Sequence, residues 1–286
     1  VEGERVDRRL PLALTISVIT GILVEEASCA LEGNEPAPLV VRLAGTHPAL
    51  PIGAQDFRGN PGTLASGSDR VEAGAGHTRP LGLEGLTEQA AWVSWVAGPR
   101  RTSSLAARCA WRGFRAEDVY RDDTFFASMG WRWKDIGLGA TSSLLRVDYG
   151  EGDEGFAAGA GLGALGRFRD VAFGAQMADP SILLARPDWM REPMEGALGV
   201  GLVPRDASWR TAATAAWREG SGWSWRLAQE LALPKGLDVG LGIALEPFRI
   251  AAGAGWQLGW ARLDVAAEGD PVLGWQTHVA LGFVWR

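Results

Sequence analysis

The chain has 286 residues, 47% of them hydrophobic, and 28 basic against 34 acidic side chains give it a net charge of −6. That length fits one large barrel or two small soluble domains, and basic residues scattered singly give no footprint for nucleic acid. No run approaches the roughly 18 apolar residues of a membrane helix, so any crossing of a bilayer falls to strands.

Residues 1–30 read as a secretory signal. Arg8 and Arg9 precede an apolar run from Leu10 to Val24, and Ala27-Ser28-Cys29-Ala30 supplies small residues for cleavage after Ala30. Cleavage there would leave Cys109 as the sole cysteine, with no internal partner for a disulfide.

Residues 31–69 differ from everything after them. Pro36, Pro38, Pro48, Pro51 and Pro61 interrupt the segment, which excludes membrane strands and predicts a hatch, hanging below the barrel or folded into its lumen. Its candidate turn is Asp56 followed by Asn60-Pro61-Gly62.

From residue 70 to 286 the sequence is written in period two. Leu237, Val239, Leu241, Ile243 and Leu245 share one face of a strand, and Asp238, Gly240, Gly242, Ala244 and Glu246 share the other. The same template places strands at about 70–78, 89–97, 102–112, 124–134, 136–147, 155–165, 170–178, 194–203, 207–218, 222–233, 236–246, 248–258, 260–268 and 276–286. The expected fold is therefore all-β: an antiparallel up-and-down transmembrane β-barrel of about fourteen strands with an N-terminal hatch. Phe126 and Gln229 break the alternation, and the apolar parity slips between Ser142 and Leu145, where a bulge is expected. There are 14 tryptophans against two tyrosines, many near strand ends, which suits a girdle at the lipid headgroups better than a soluble sandwich core.

The small-residue faces would turn Arg108, Arg112, Arg132, Arg210, Arg218, Arg226, Glu230, Asp238, Arg249, Arg262, Asp264 and Glu268 into the lumen, with His278 on the last strand. In so narrow a space opposite charges should pair, as structure or as a selectivity lining. His47, His77 and His278 are isolated from one another and from any cysteine, so the sequence supports no catalytic centre, metal site or cofactor. The longest interruptions, 112–123 and 179–195, predict external loops. The second carries Leu183, Leu184, Trp189 and Met190 as a contact surface or a cap on the barrel.

Asn60-Pro61-Gly62-Thr63-Leu64-Ala65 after Asp56, Leu245-Glu246-Pro247-Phe248 and the closing Leu281-Gly282-Phe283-Val284-Trp285-Arg286 resemble the superfamily of FadL-type fatty acid transporters and PorV-type secretion barrels. The resemblance implies fourteen strands, a hatch, residence in the bacterial outer membrane, and a last strand read by the barrel assembly machinery. It also implies one of two roles. The PorV-like role is a plugged barrel whose loops engage secretion components; the FadL-like alternative is passive transport of hydrophobic small molecules. Charges pointing into the lumen tilt the expectation toward the first.

Overall fold

The computed structural model describes residues 49–50, 59–66, 70–80, 83–98, 103–117, 119–150, 154–187, 190–204, 208–271 and 274–285, all within one compact unit. The expected signal at 1–30, Asp56, most of 31–69 and Arg286 lie outside them.

Among the described residues no helix is long and apolar enough to cross a membrane. The crossing is made by fourteen strands: β1 (Arg70–Arg79), β2 (Leu86–Ala97), β3 (Ser103–Ala116), β4 (Tyr120–Trp133), β5 (Ile136–Asp148), β6 (Glu154–Phe168), β7 (Val171–Arg186), β8 (Glu195–Leu202), β9 (Trp209–Arg218), β10 (Gly222–Leu233), β11 (Leu237–Ala244), β12 (Arg249–Leu258), β13 (Ala261–Asp270) and β14 (Gly274–Trp285). Each pairs antiparallel with its neighbours in sequence, and β1 pairs with β14 from Val71 opposite Trp285 to Arg79 opposite Thr277. The sheet is thus a closed barrel with no free edge.

Parity then decides which side chains meet lipid. Leu241, Leu162 and Met129 point outward and are more than 60% exposed, whereas their strand neighbours Gly240, Gly242 and Ser128 are buried. Among the described residues ten tryptophans are exposed on the outer face. Trp131, Trp133, Trp209, Trp260 and Trp285 circle the rim where β1 begins and β14 ends, here called the terminal rim. Trp223, Trp225 and Trp275 lie toward the opposite, loop rim. Cys109 also faces outward and is exposed.

Three expectations need correction. The 112–123 interruption is mostly strand, since β3 runs to Ala116 and β4 begins at Tyr120. Likewise β7 continues to Arg186, with Leu184 paired to Ala158, so Leu183 and Leu184 belong to the wall and not to a loop. The expected bulge at 142–145 is absent because β5 and β6 pair without a break from Ile136 to Asp148. Leu145 and Val147 alternate normally and face the lumen. The register shift lies one strand pair further on, between Ala158 and Ala160.

Leu241→Arg would place a cation on the lipid face and should lower unfolding free energy in vesicles by about 2–4 kcal/mol if Leu241 lies near the bilayer midplane. Urea unfolding read by band shift checks this; an unchanged midpoint would contradict the lipid-facing assignment.

Candidate functional site: the barrel lumen

Inward-facing residues of neighbouring strands line up in register rows, and the rows differ in chemistry. Glu72, Ser94, Arg108, Ser128 and Thr141 form one polar row. Arg108 Nη2 donates to Ser128 Oγ at 3.1 Å, and Thr141 Oγ1 donates to the same oxygen at 2.9 Å. The next row toward the loop rim is Gly74, Trp92, Ala110, Phe126 and Ser143. Trp92 and Phe126 are buried there in one cluster with Ala90, Ala110 and Ala280. Burying each of these rings contributes about 1.5–3 kcal/mol, and no lipid-facing alternative is open to them once parity is fixed. Above this row come Arg112 and Leu145, then Glu88, Phe114, Asp122 and Val147.

The sequence-predicted charges all project inward, and their partners are close. Arg112 is buried against Glu88. Glu230 accepts from Arg210 at 2.5 Å. Arg262 bonds Asp264 at 2.8 Å and Asp238 at 3.1 Å. Arg249 reaches Glu268 at 3.3 Å and Asp270 at 3.7 Å, and Arg218 reaches Glu195 at 3.4 Å. Arg226 is half-buried on the lumen face opposite Thr214 and Ala244. His278 is fully buried, its Nδ1 hydrogen-bonded to Thr78 Oγ1 at 2.9 Å. Among the described residues no three His, Cys, Asp or Glu side chains gather to hold a metal ion.

The described part of the N-terminal segment sits inside the wall near the terminal rim. Asn60 organises a tight turn: its Oδ1 accepts from Gly62 N–H at 2.9 Å, and its carbonyl accepts from Thr63 Oγ1 at 2.8 Å. Its Nδ2 donates to the Ala164 carbonyl of β6 at 2.7 Å. Pro61–Ser66 then forms a 3-10 turn with Pro61 through Ala65 buried. Ser104 Oγ donates to the Ala65 carbonyl at 2.7 Å, and Arg132 reaches the Ser66 carbonyl at 3.4 Å. On the facing strands Gly137, Gly139 and Gly163 make this approach possible, because a Cβ on them would overlap Gly62, Pro61 and the Asn60 side chain. Across the lumen, Ala49 and Leu50 are fully buried, close to Gly199 and Gly201 of β8.

Several lumen residues escape the sequence reading: Glu88, Glu72, Trp92, Phe114, Leu145 and Val147. The apolar ones occupy the face assigned to small or charged residues. Breaks in alternation are their only sequence signal, and Phe126 and Leu145 carry that signal visibly. Met190, from the connection between β7 and β8, is also buried, packed on Val147 and Ala157 beside Tyr120 and Tyr149. It caps the barrel interior and is no external contact surface.

No protein-family model and no curated protein matches the chain. Among solved structures, the Pseudomonas putida toluene transporter TodX aligns with a TM-score of 0.58 at 11% identity, covering 87% of this chain and 96% of that one. The CymD monoaromatic hydrocarbon channel aligns at 0.59 and 10% identity, covering 87% and 96%. A TodX deltaS2 mutant aligns at 0.60 and 11% identity, covering 87% and 97%. Likeness at this identity shows the fold alone, a closed antiparallel barrel of fourteen strands like that of these outer-membrane channels.

Glu88→Ala would strand a buried guanidinium and should destabilise the barrel by about 3–5 kcal/mol. Adding Arg112→Met should recover most of that loss. Both are read from urea midpoints in vesicles, and a double variant no better than the single one would contradict the pairing.

Proposed function

We propose that the chain is a plugged channel for passive uptake of small hydrophobic molecules across the bacterial outer membrane. The observation that carries this reading is the apolar row across the lumen, Trp92 and Phe126 with Ala90, Ala110 and Ala280, set within a polar interior. A general porin needs a water-filled passage and gains nothing from such a row. A hydrophobic solute needs apolar walls, which the inward charges at first argued against.

The likeness in fold to two hydrocarbon channels supports the same reading over the secretion role. An external contact surface at 179–195 would favour the secretion role, yet Leu183 and Leu184 are on β7 and Met190 is buried, while Trp189 lies outside the described residues. Asn60, Pro61 and Gly62 shape the inner turn of the plug in this proposal. Arg112, Arg210, Arg218, Arg249 and Arg262 are each held by carboxylates, which keeps their charge from gathering water or ions along the path. Connections of two residues at 134–135, 169–170 and 259–260 support a periplasmic position for the terminal rim, because periplasmic barrel turns are short.

The test is uptake of a radiolabelled monoaromatic hydrocarbon by cells with and without the protein, alongside planar-bilayer conductance. Uptake should rise severalfold with the protein and fall back with Phe126→Gln, while the folded band keeps its heat shift. The wild type should show no open-channel steps, and Gly137→Val with Gly139→Val, which evicts Pro61–Ser66, should introduce them. Equal uptake with and without the protein, or open steps in the wild type, would sink the proposal.

A further inference from the structure

Charge is divided between the two rims. By sequence, the connections at the loop rim hold nine acidic residues and one basic residue, Arg191. Those at the terminal rim hold Arg100, Arg101, Lys134, Arg169, Arg205 and Lys235 against Asp135, Asp170 and Asp206. Both lysines of the chain are in this second group.

Backbone conformation follows the same division. Among the described residues five non-glycine positions have positive φ: Lys134 at 54°, Arg169 at 56° and Lys235 at 65° on the terminal rim, and Glu117 and Glu246 on the loop rim. Such positions favour glycine, asparagine or aspartate, so long cations at these three terminal-rim positions are not chosen for turn geometry. Two of the turns repeat one pattern. Arg132-Trp133-Lys134-Asp135-Ile136 and Arg167-Phe168-Arg169-Asp170-Val171 each bond the leading arginine Nε to the carbonyl two residues on, at 2.7 and 3.2 Å. They are neighbours in space, since Arg167 N–H donates to the Asp135 carbonyl at 2.8 Å.

In both turns the cation is held on the lipid side. Lys134 Nζ lies 4.8 Å from the centre of the outward Trp133 ring, and the Arg169 guanidinium lies 5.4 Å from that of Phe168. Among the described residues neither makes an ion pair. The aromatic girdle continues round this rim through Trp260, stacked on Phe283 at 5.3 Å. Aromatic rings at headgroup depth with unpaired cations just beyond them match a phosphodiester anion in position and charge.

We propose that the terminal rim binds anionic phospholipid headgroups, with Lys134, Arg169 and Lys235 as the phosphate contacts. The probe is purified, refolded protein in micelles containing equal phosphatidylglycerol and phosphatidylethanolamine, with retained lipid read by native mass spectrometry. Wild type should retain phosphatidylglycerol preferentially. Lys134→Gln or Arg169→Gln alone should reduce that preference by about fivefold, and the triple Gln variant should abolish it. Glu117→Gln with Glu246→Gln, on the other rim, should leave it unchanged. Each variant is scored only on protein showing the heat-shifted folded band, and the single variants decide if the triple one fails to fold. No preference in the wild type, an undiminished preference in the single variants, equal loss in the loop-rim control, or displacement of phosphatidylglycerol by lipid A would each overturn the proposal.

Discussion

A strand in hydrocarbon can leave no backbone donor or acceptor unpaired, because each such group costs several kcal/mol there. Closure of β1 on β14 is therefore the contact on which every other feature depends. It turns a sheet into a wall with two faces and fixes one parity around the whole circumference. Once that parity is set, the outward face must be apolar throughout, and the inward face is free to vary. Variation on the inward face is where function can be written.

That freedom is used differently on the two sides of the barrel. On β6, β8 and β12, and at Gly137 and Gly139 of β5, the inward positions are mostly glycine and alanine, and the described N-terminal residues lie against several of them. On β2, β3 and β4 larger side chains fill the lumen in rows, one polar, one apolar and those nearer the loop rim mixed. The plug and the filled wall are complementary solutions to one space: backbone packed on glycine on one side, side chains packed on side chains on the other.

Strand number and phase were legible in the sequence because lipid tolerates few errors of alternation on its face. The Leu237 to Ala244 strand and the closing Gly274 to Trp285 strand lie almost where period two places them. Strand ends at the loop rim were less legible. Beyond the membrane, strands β3, β4 and β7 extend without needing an apolar outer face, so the pattern stops before the hydrogen bonding does. Alternation marks the face on which the lumen charges lie, and it is silent on Trp92 and Val147. An apolar residue on the inward face has no signature distinguishing it from an error of phase. At Leu145 the sequence was read as a bulge, whereas the continuous pairing of β5 with β6 shows an apolar side chain chosen for the interior.

Paired charge and apolar surface in one lumen need not conflict. An unpaired arginine in a narrow barrel would hold water and counter-ions about itself, and a hydrophobic solute passing it would have to displace them. Arg112 held by Glu88, or Arg262 held by Asp264 and Asp238, has its charge met by neighbouring carboxylates. Pairing costs desolvation that apolar residues of similar size would avoid, so stability alone is a weak reason for it. Fixing the register of side chains between the strands is a better one, since a half-satisfied network would cost more than either alternative. The charges then serve the apolar row by holding the wall around it in one arrangement.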